Sequence, residues 1–264
     1  MSEEKRLPLT FLVVGANGKM GQKVREVIKQ SLPSAKVIGV DLQGSENYSK
    51  IEKVIFEIRR PDVVIDFSSP AAAIECAHWC AQHNVPLVSG TTGLNSVDVV
   101  EMKMLSEQIP ILWAPNMSLG VNLIDSLLPL LVGPLGEWTI EIVETHHDRK
   151  KDCPSGTALR WAKTLAQKLQ RKIQTGRPET KEFVHDSEVI AIHSLRHGLV
   201  FGEHEIILAK GHERIKIGHY IGDRCVFAEG AFKAARWLIG QEPGYYSMED
   251  VLGFKKTAEQ QEDI

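Results

Sequence analysis

The apolar run Thr10-Phe11-Leu12-Val13-Val14 passes directly into Gly15-Ala16-Asn17-Gly18-Lys19-Met20-Gly21, and this junction narrows the possible folds more than any other feature. Residues 10–14 read as a buried strand. Residues 20–31 read as a helix, with Val24, Val27 and Ile28 at core spacing. Glycines between a strand and a helix permit a tight turn and let a pyrophosphate approach backbone N–H groups at the helix N-terminus. The spacing is G-x-x-G-x-x-G, so Asn17 stands where the common G-x-G-x-x-G pattern has its second glycine. A second strand, 36–40, ends on Asp41, where a carboxylate can accept from a ribose 2′-hydroxyl. A plain glycine turn beside an exposed Asp is the bland alternative. Strand, loop, helix, strand and acid all agree instead on a dinucleotide site formed by Gly15, Ala16, Asn17, Gly18, Lys19, Met20, Gly21 and Asp41.

The alternation continues. Residues 63–67 read as a buried strand, 71–83 as a helix, 85–89 as a strand, 96–108 as a helix and 111–114 as a strand, with a further helix near 50–58. Strands alternating with helices imply right-handed βαβ units and a parallel sheet covered on both faces. Ligands in such sheets bind beyond the carboxyl ends of the strands. Three loops fall there: Asp66-Phe67-Ser68-Ser69, Gly90-Thr91-Thr92-Gly93 and Ala114-Pro115-Asn116-Met117-Ser118. They add Phe67, Ser68, Gly90, Thr91, Thr92, Ala114, Pro115, Asn116 and Met117 to the expected cofactor contacts.

The texture changes after residue 118. An apolar helix at 120–132 precedes Thr139-Ile140-Glu141-Ile142-Val143-Glu144, whose alternation suits a sheet with one solvated or partner-facing side. Similar strands are expected at 188–195, 203–209 and 213–219, the last two joined as a hairpin through Ala209-Lys210-Gly211-His212-Glu213. A helix at 156–170 carries the apolar stripe Ala158, Leu159, Ala162, Leu165, Ala166 and Leu169, and 171–186 reads as a surface loop. A closing helix at 225–239 is placed to return to the first domain. The expected division is 1–117 together with 228–264 as a dinucleotide-binding domain, and 118–227 as a second, α+β domain.

The formal net charge of −3 argues against a general nucleic-acid binder, and no apolar run is long enough to span a bilayer. These features point to a cytoplasmic protein acting on neither nucleic acid nor membrane. Cysteines at 76, 80, 153 and 225 match neither a disulfide framework nor a tetrahedral metal pattern, and no metal is expected.

The chemistry is concentrated in Glu144-Thr145-His146-His147-Asp148-Arg149-Lys150-Lys151-Asp152-Cys153-Pro154-Ser155-Gly156-Thr157-Ala158. Imidazoles move protons near neutral pH, whereas cations and free helix N–H groups hold anions. Adjacent residues at a strand end send their side chains apart, which disfavours His146 and His147 chelating one metal. One imidazole can face a reacting atom while the other holds a substrate group. Lys150 supplies a point charge, and the N–H groups of Gly156 and Thr157 can cradle a carboxylate. Two anion grips on one loop suit a dicarboxylate. Cys153, near a helix N-terminus, offers a rival reading as an activated nucleophile.

On these residues the sequence resembles the dihydrodipicolinate reductases (4-hydroxy-tetrahydrodipicolinate reductases). The resemblance runs through GANGKMG at 15–21, Asp66-Phe67-Ser68, GTTG at 90–93, APNMSLGVN at 114–122, ETHHDRKKDCPSGTA at 144–158, Gly202-Glu203-His204 and FAEGA at 227–231. It implies a Rossmann-like parallel-sheet domain and an α+β domain whose mixed sheet serves oligomerisation in a homotetramer. It also implies NAD(P)H-dependent reduction of a small cyclic imine dicarboxylate in lysine biosynthesis by the diaminopimelate route. His146 would be the general acid and Lys150 an essential substrate contact, with Thr92, His147, Ser155, Gly156 and Thr157 completing the substrate site. The family usually has Ala where Cys153 stands, and its His-x-Ala-x-Ser-Arg run is here His219-Tyr220-Ile221-Gly222-Asp223-Arg224. Leu42 and Gln43 follow Asp41 where NADPH-accepting members often carry Arg, so NADH is the expected preference, with NADPH accepted. The rival readings are a Cys153-dependent aldehyde dehydrogenase and a non-catalytic nicotinamide-sensing module.

Overall fold

The computed structural model describes residues 8–41, 60–177 and 186–254, in two compact units: Met1–Leu119 with Cys225–Ile264, and Gly120–Arg224. The helix expected near 50–58, and Leu42 and Gln43, lie outside the described residues.

In the first unit, β1 (Thr10–Val14), β2 (Lys36–Val40), β3 (Val63–Asp66), β4 (Leu87–Ser89), β5 (Pro110–Trp113) and β11 (Gly244–Tyr246) form one sheet in the order β11-β5-β4-β3-β1-β2. Every pairing is parallel. Successive side chains on a strand point to opposite faces. Phe11 and Val13 therefore enter one core with α1 (Lys19–Ser31) and α6 (Cys225–Leu238), and Leu12 and Val14 enter another with α2 (Pro70–His83) and α3 (Ser96–Ser106). Burial on both faces is why these strands read as unbroken apolar runs. The closing helix presses in closely, since a Cβ on Gly230 would stand 1.8 Å from the Met117 carbonyl oxygen. The chain leaves β1 for β2 on one side and returns to β3 on the other. The loops after β1 and β3 thus flank the point where strand order reverses, the usual place for a ligand crevice.

In the second unit, β6 (Thr139–His146), β7 (Lys172–Thr175), β8 (Val189–Arg196), β9 (Gly202–Lys210) and β10 (Glu213–Ile221) lie in the order β10-β9-β6-β8-β7. The sheet is mixed: β6 and β7 run parallel to β8, while β9 is antiparallel to β6 and β10. Ile140, Ile142, Ile190, Ile192, Ile206 and Leu208 pack beneath α4 (Leu119–Val132) and α5 (Gly156–Leu169), with Trp161 fully buried among them. In the hairpin, Gly211 (φ +58°) takes the first central position of the turn, where a type II′ geometry needs φ > 0.

Three details differ from the sequence expectation. The strand expected from residue 85 begins at Leu87, after Pro86. The surface loop expected from residue 171 instead starts with a buried Arg171, whose guanidinium donates at 2.6 Å to the carbonyls of Trp138 and Gly136. It then forms β7, an edge strand whose Lys-Ile-Gln-Thr sequence is mostly exposed and so carries no burial signature. Strand β11 and the short helix α7 (Met248–Leu252) were not expected; three and five residues are too short to show a period. Among the described residues no helix is long and apolar enough to cross a membrane.

Candidate functional site

The glycine loop of the first unit is shaped by contacts that a side chain would destroy. Gly15 has φ +74°, and a Cβ there would stand 2.2 Å from the Phe67 carbonyl oxygen. A Cβ on Gly21 would stand 2.1 Å from the Gly15 oxygen. Glycine is thus required where the loop folds back on itself and where the β3 loop crosses it. Gly18 caps α1 without a side chain, so the first-turn N–H groups at Lys19, Met20 and Gly21 receive no side-chain cap. Asn17, Gly18 and Lys19 are exposed, Met20 is half-buried and Ala16 is buried. Asp41 lies beside the loop, its carboxylate accepting from the Asn17 N–H at 3.1 Å. These residues fit a dinucleotide: a close-packed turn, an open helix start and a carboxylate at the end of β2.

The loops after β3 and β4 are joined by Asp66, which the sequence reading passed over. Its fully buried carboxylate accepts from the hydroxyls of Ser89 and Thr91 at 2.7 Å, from the Ser68 hydroxyl, and from the Ser68 N–H at 3.1 Å. Burial pushes Asp66 upward, against the opposing pull of the Ser68, Ser89 and Thr91 hydroxyls. Ser68 and Thr91 therefore direct their hydroxyls into the protein. Thr91 also accepts from the Ser68 N–H at 2.9 Å and, through its carbonyl, from Trp113 Nε1 at 2.9 Å. The Phe67 ring lies where a Gly90 side chain would be, 2.3 Å from the position of its Cβ. Thr92 and Pro115 are exposed and Asn116 half-buried, whereas Ala114 and Met117 are buried. Among the expected contacts on these loops, Thr92 and Pro115 present exposed side chains, whereas the Asn116 side chain accepts from the Ser118 N–H at 2.9 Å.

In the second unit, strand β6 ends on His146, and the chain turns through 147–155 into α5. Ser155 is the N-cap, its hydroxyl accepting from the Ala158 N–H at 3.2 Å. Gly156 is exposed, with nothing within 4 Å of where its Cβ would be. His146 is buried, and its Nδ1 lies 2.6 Å from a Glu144 carboxylate oxygen. His147 is half-buried, and its Nδ1 accepts from the Arg149 N–H at 3.2 Å. The two imidazoles thus have different partners. The Lys150 ammonium pairs with Asp152 at 2.8 Å, so this grip is pre-occupied by an internal carboxylate that an anionic ligand would have to replace. Cys153 is exposed, followed by a cis peptide bond to Pro154.

What gathers this loop is a network around Glu144. Arg196 donates to its carboxylate at 2.8 and 2.7 Å, and the Ser155 N–H donates at 3.1 Å. Arg196 also donates to the Asp152 carbonyl at 2.8 Å, bracing the turn. Burial alone would raise Glu144; the hydrogen bonds from His146 and Arg196 outweigh it and hold the carboxyl well below its usual range. His204 shares a 2.8 Å hydrogen bond with the Ser155 hydroxyl and sits edge-on to His146, ring centroids 5.1 Å apart. Burial and the neighbouring His146 push His204 down to about 3, so it is neutral. His146, Lys150 and Ser155 are thereby brought into one network, to which Glu144, Asp152, Arg196 and His204 are structural additions. Glu144 could have been found from spacing, since residues two apart on a strand share a face. Arg196 and His204 needed the pairings His146↔Arg196 and Glu144↔His204, which only the fold supplies. An imidazole, a cation and a helix start suit an anionic ligand that exchanges a proton with the site.

Two stretches match models of one family, residues 9–117 as "Dihydrodipicolinate reductase, N-terminus" and residues 120–252 as "Dihydrodipicolinate reductase, C-terminus". A dipicolinate-bound dihydrodipicolinate reductase from Paenisporosarcina sp. TG-14 superposes with a TM-score of 0.75 at 24% identity, covering 91% of this chain and 97% of that one. A probable dehydrogenase from Thermotoga maritima gives a TM-score of 0.57 at 13% identity, covering 92% of each chain. The WlbA dehydrogenase from Chromobactrium violaceum, in complex with NADH and UDP-GlcNAcA, gives 0.54 at 9% identity, covering 96% of this chain and 89% of that one. Such identities speak for a shared fold. Matched along both units by models of the same family, the chain belongs to the dihydrodipicolinate reductases.

Proposed function

We propose that this chain reduces 4-hydroxy-tetrahydrodipicolinate, by way of dihydrodipicolinate, to tetrahydrodipicolinate in the diaminopimelate route to lysine. The observation that carries this reading is the loop after β6, where His146, held through Nδ1 by Glu144, shares one network with Lys150 and the N-cap of α5. The bound ring would place one carboxylate on Lys150, displacing Asp152, and the other at the N–H groups of Gly156 and Thr157, with Ser155 and His147 beside them; Thr92 is a further substrate contact by resemblance to the family. His146 would supply the proton that the reduced ring takes up. The nicotinamide cofactor supplies the hydride when bound. The glycine loop and Asp41 would hold it, together with residues 67–68, 90–92 and 114–117. Thr91, whose hydroxyl is turned to Asp66 and whose N–H donates to the Ser89 hydroxyl at 3.4 Å, would contribute only through its main chain, as would Ala114 and Met117. Asp41 favours a free ribose 2′-hydroxyl over a 2′-phosphate, so NADH is the preferred cofactor. In this reading the first unit binds the dinucleotide, the second binds the ring and carries the sheet of a homotetramer, and the protein works in the cytoplasm.

Support comes from family membership and from the dipicolinate bound to the relative, which is a flat dicarboxylate. The test is NADH oxidation with the freshly generated condensation product of aspartate semialdehyde and pyruvate. Turnover dependent on that product is expected. NADH oxidation that is absent, or that stops on thiol alkylation and persists without the ring substrate, would favour the Cys153 aldehyde chemistry or a binding module.

A further inference from the structure

Glu144 and His146 sit two residues apart on β6, and their side chains meet at 2.6 Å. The carboxylate is 0% exposed and receives the forked guanidinium of Arg196 and the Ser155 N–H. Each of these partners can only donate, so Glu144 is placed as an acceptor on every side. A carboxylate in that state has no proton to offer an imidazole nitrogen. We infer that Glu144 is the positioning residue of this site: it keeps a proton on His146 Nδ1 and so makes Nε2 the atom through which His146 exchanges a proton with its ligand. The inference rests on the proposed role of His146 as proton donor.

The surroundings of the ring agree. Gly202 lies against the other side of the ring, where a Cβ would come within 3.1 Å of Nε2, so glycine leaves that nitrogen uncrowded. The charged and titratable groups in this network are Glu144 on β6, Arg196 on β8, His204 on β9, and Lys150 and Asp152 on the loop. His204, edge-on to the ring, is placed to compete for the proton, and its burial keeps it neutral. Arg196 does more than tie strands together: with its guanidinium in place, Glu144 stays ionised and does not itself take the His146 proton. A carboxylate fixing the tautomer of a catalytic imidazole is the logic of hydrolase triads, where changing the carboxylate to an amide cost about 10⁴ in turnover through the wrong tautomer. Here the same device would serve proton donation to a reduced ring.

The test reads the tautomer directly. Full-length protein labelled with ¹⁵N-histidine is studied by long-range ¹H–¹⁵N correlation without substrate or cofactor, the His146 signals being assigned by their loss in His146→Gln. The neutral form of His146 is expected to carry its proton on Nδ1. In Glu144→Gln, whose amide can donate as well as accept, that bias is expected to disappear, with kcat falling on the order of 10²–10⁴-fold while NADH affinity holds. A wild-type His146 whose neutral form carries its proton on Nε2 would overturn the assignment, even if Glu144→Gln did not fold. So would a folded Glu144→Gln that keeps the Nδ1 tautomer and loses only stability. An Nδ1-protonated His146 in a protein that fails to turn over the ring substrate would uphold the positioning role and sink the proposed function instead.

Discussion

Gly15→Ala tests whether the loop after β1 is the cofactor cradle. Gly15 has φ +74°, a region that costs an L-residue about 1–2 kcal/mol. The new Cβ would also stand 2.2 Å from the Phe67 carbonyl oxygen and 2.8 Å from its carbon. Both are backbone atoms at the end of β3 and cannot swing away as a side chain could. Overpacking of this kind typically costs about 1–3 kcal/mol, so the sum is about 2–5 kcal/mol if the loop holds its shape. For a chain of this size that corresponds to a fall in Tm of roughly 5–15 °C. If the loop yields instead, the same energy appears in binding, where about 1.4 kcal/mol is a tenfold change in Kd. Differential scanning calorimetry and titration of NADH into the same preparation measure both. The expected result is a lower Tm, an NADH Kd raised at least about tenfold, or both. Gly222→Ala is the control, since nothing lies within 4 Å of its Cβ position and its φ is not positive. A Gly15→Ala protein with the wild-type Tm and the wild-type NADH Kd would refute the close-packed loop and its role.

Three further outcomes follow from the same geometry. NADH should be preferred over NADPH in kcat/KM, because a 2′-phosphate would meet the Asp41 carboxylate; at 4 Å and an effective dielectric near 20 that repulsion is about 4 kcal/mol per charge pair before solvent screening reduces it. A clear NADPH preference would contradict that role. Pyridine-2,6-dicarboxylate should compete with the ring substrate and benzoate should be far weaker, since a monocarboxylate leaves either Lys150 or the α5 start unused; equal inhibition would rule out two grips. The Glu144 carboxyl is held well below the usual carboxylate range in the folded chain, so its contribution to stability is present at pH above its unfolded value and is lost as pH falls below about 4.5. The stability gap between wild type and Glu144→Gln, read by urea denaturation, should therefore narrow on acidification, and a gap that widened would contradict the network.

Much of the parallel-sheet unit was legible because burial on both faces leaves long apolar runs, and because glycine alone tolerates the turn at Gly15. The loop after β6 was legible for a different reason: His146, Lys150 and Ser155 are close in sequence, so local spacing carries most of their geometry. The Glu144 network was only half visible. Arg196 reaches Glu144 across 52 positions and His204 reaches Ser155 across 49, and such pairings depend on sheet register rather than on any local pattern. Strand β7 was missed because an exposed edge strand has no apolar alternation to read. Ser68 and Thr91 read as ligand contacts from their place at strand ends, but their hydroxyls turn to the buried Asp66 carboxylate. A single acid within an apolar strand end gave no warning of that.

If the loop after β6 binds and protonates a cyclic dicarboxylate and the glycine loop holds the cofactor, turnover and cofactor binding should separate under mutation. The most direct measurement is kcat for His146→Gln and Lys150→Ala on the freshly generated ring substrate, with NADH Kd determined on the same folded samples. Turnover is expected to fall by about 10²–10⁴-fold in His146→Gln. A comparably crippled Lys150→Ala is expected, with NADH bound by both as tightly as by the wild type. Near-normal kcat in both variants, or a loss of turnover fully matched by a loss of NADH binding, would contradict that expectation.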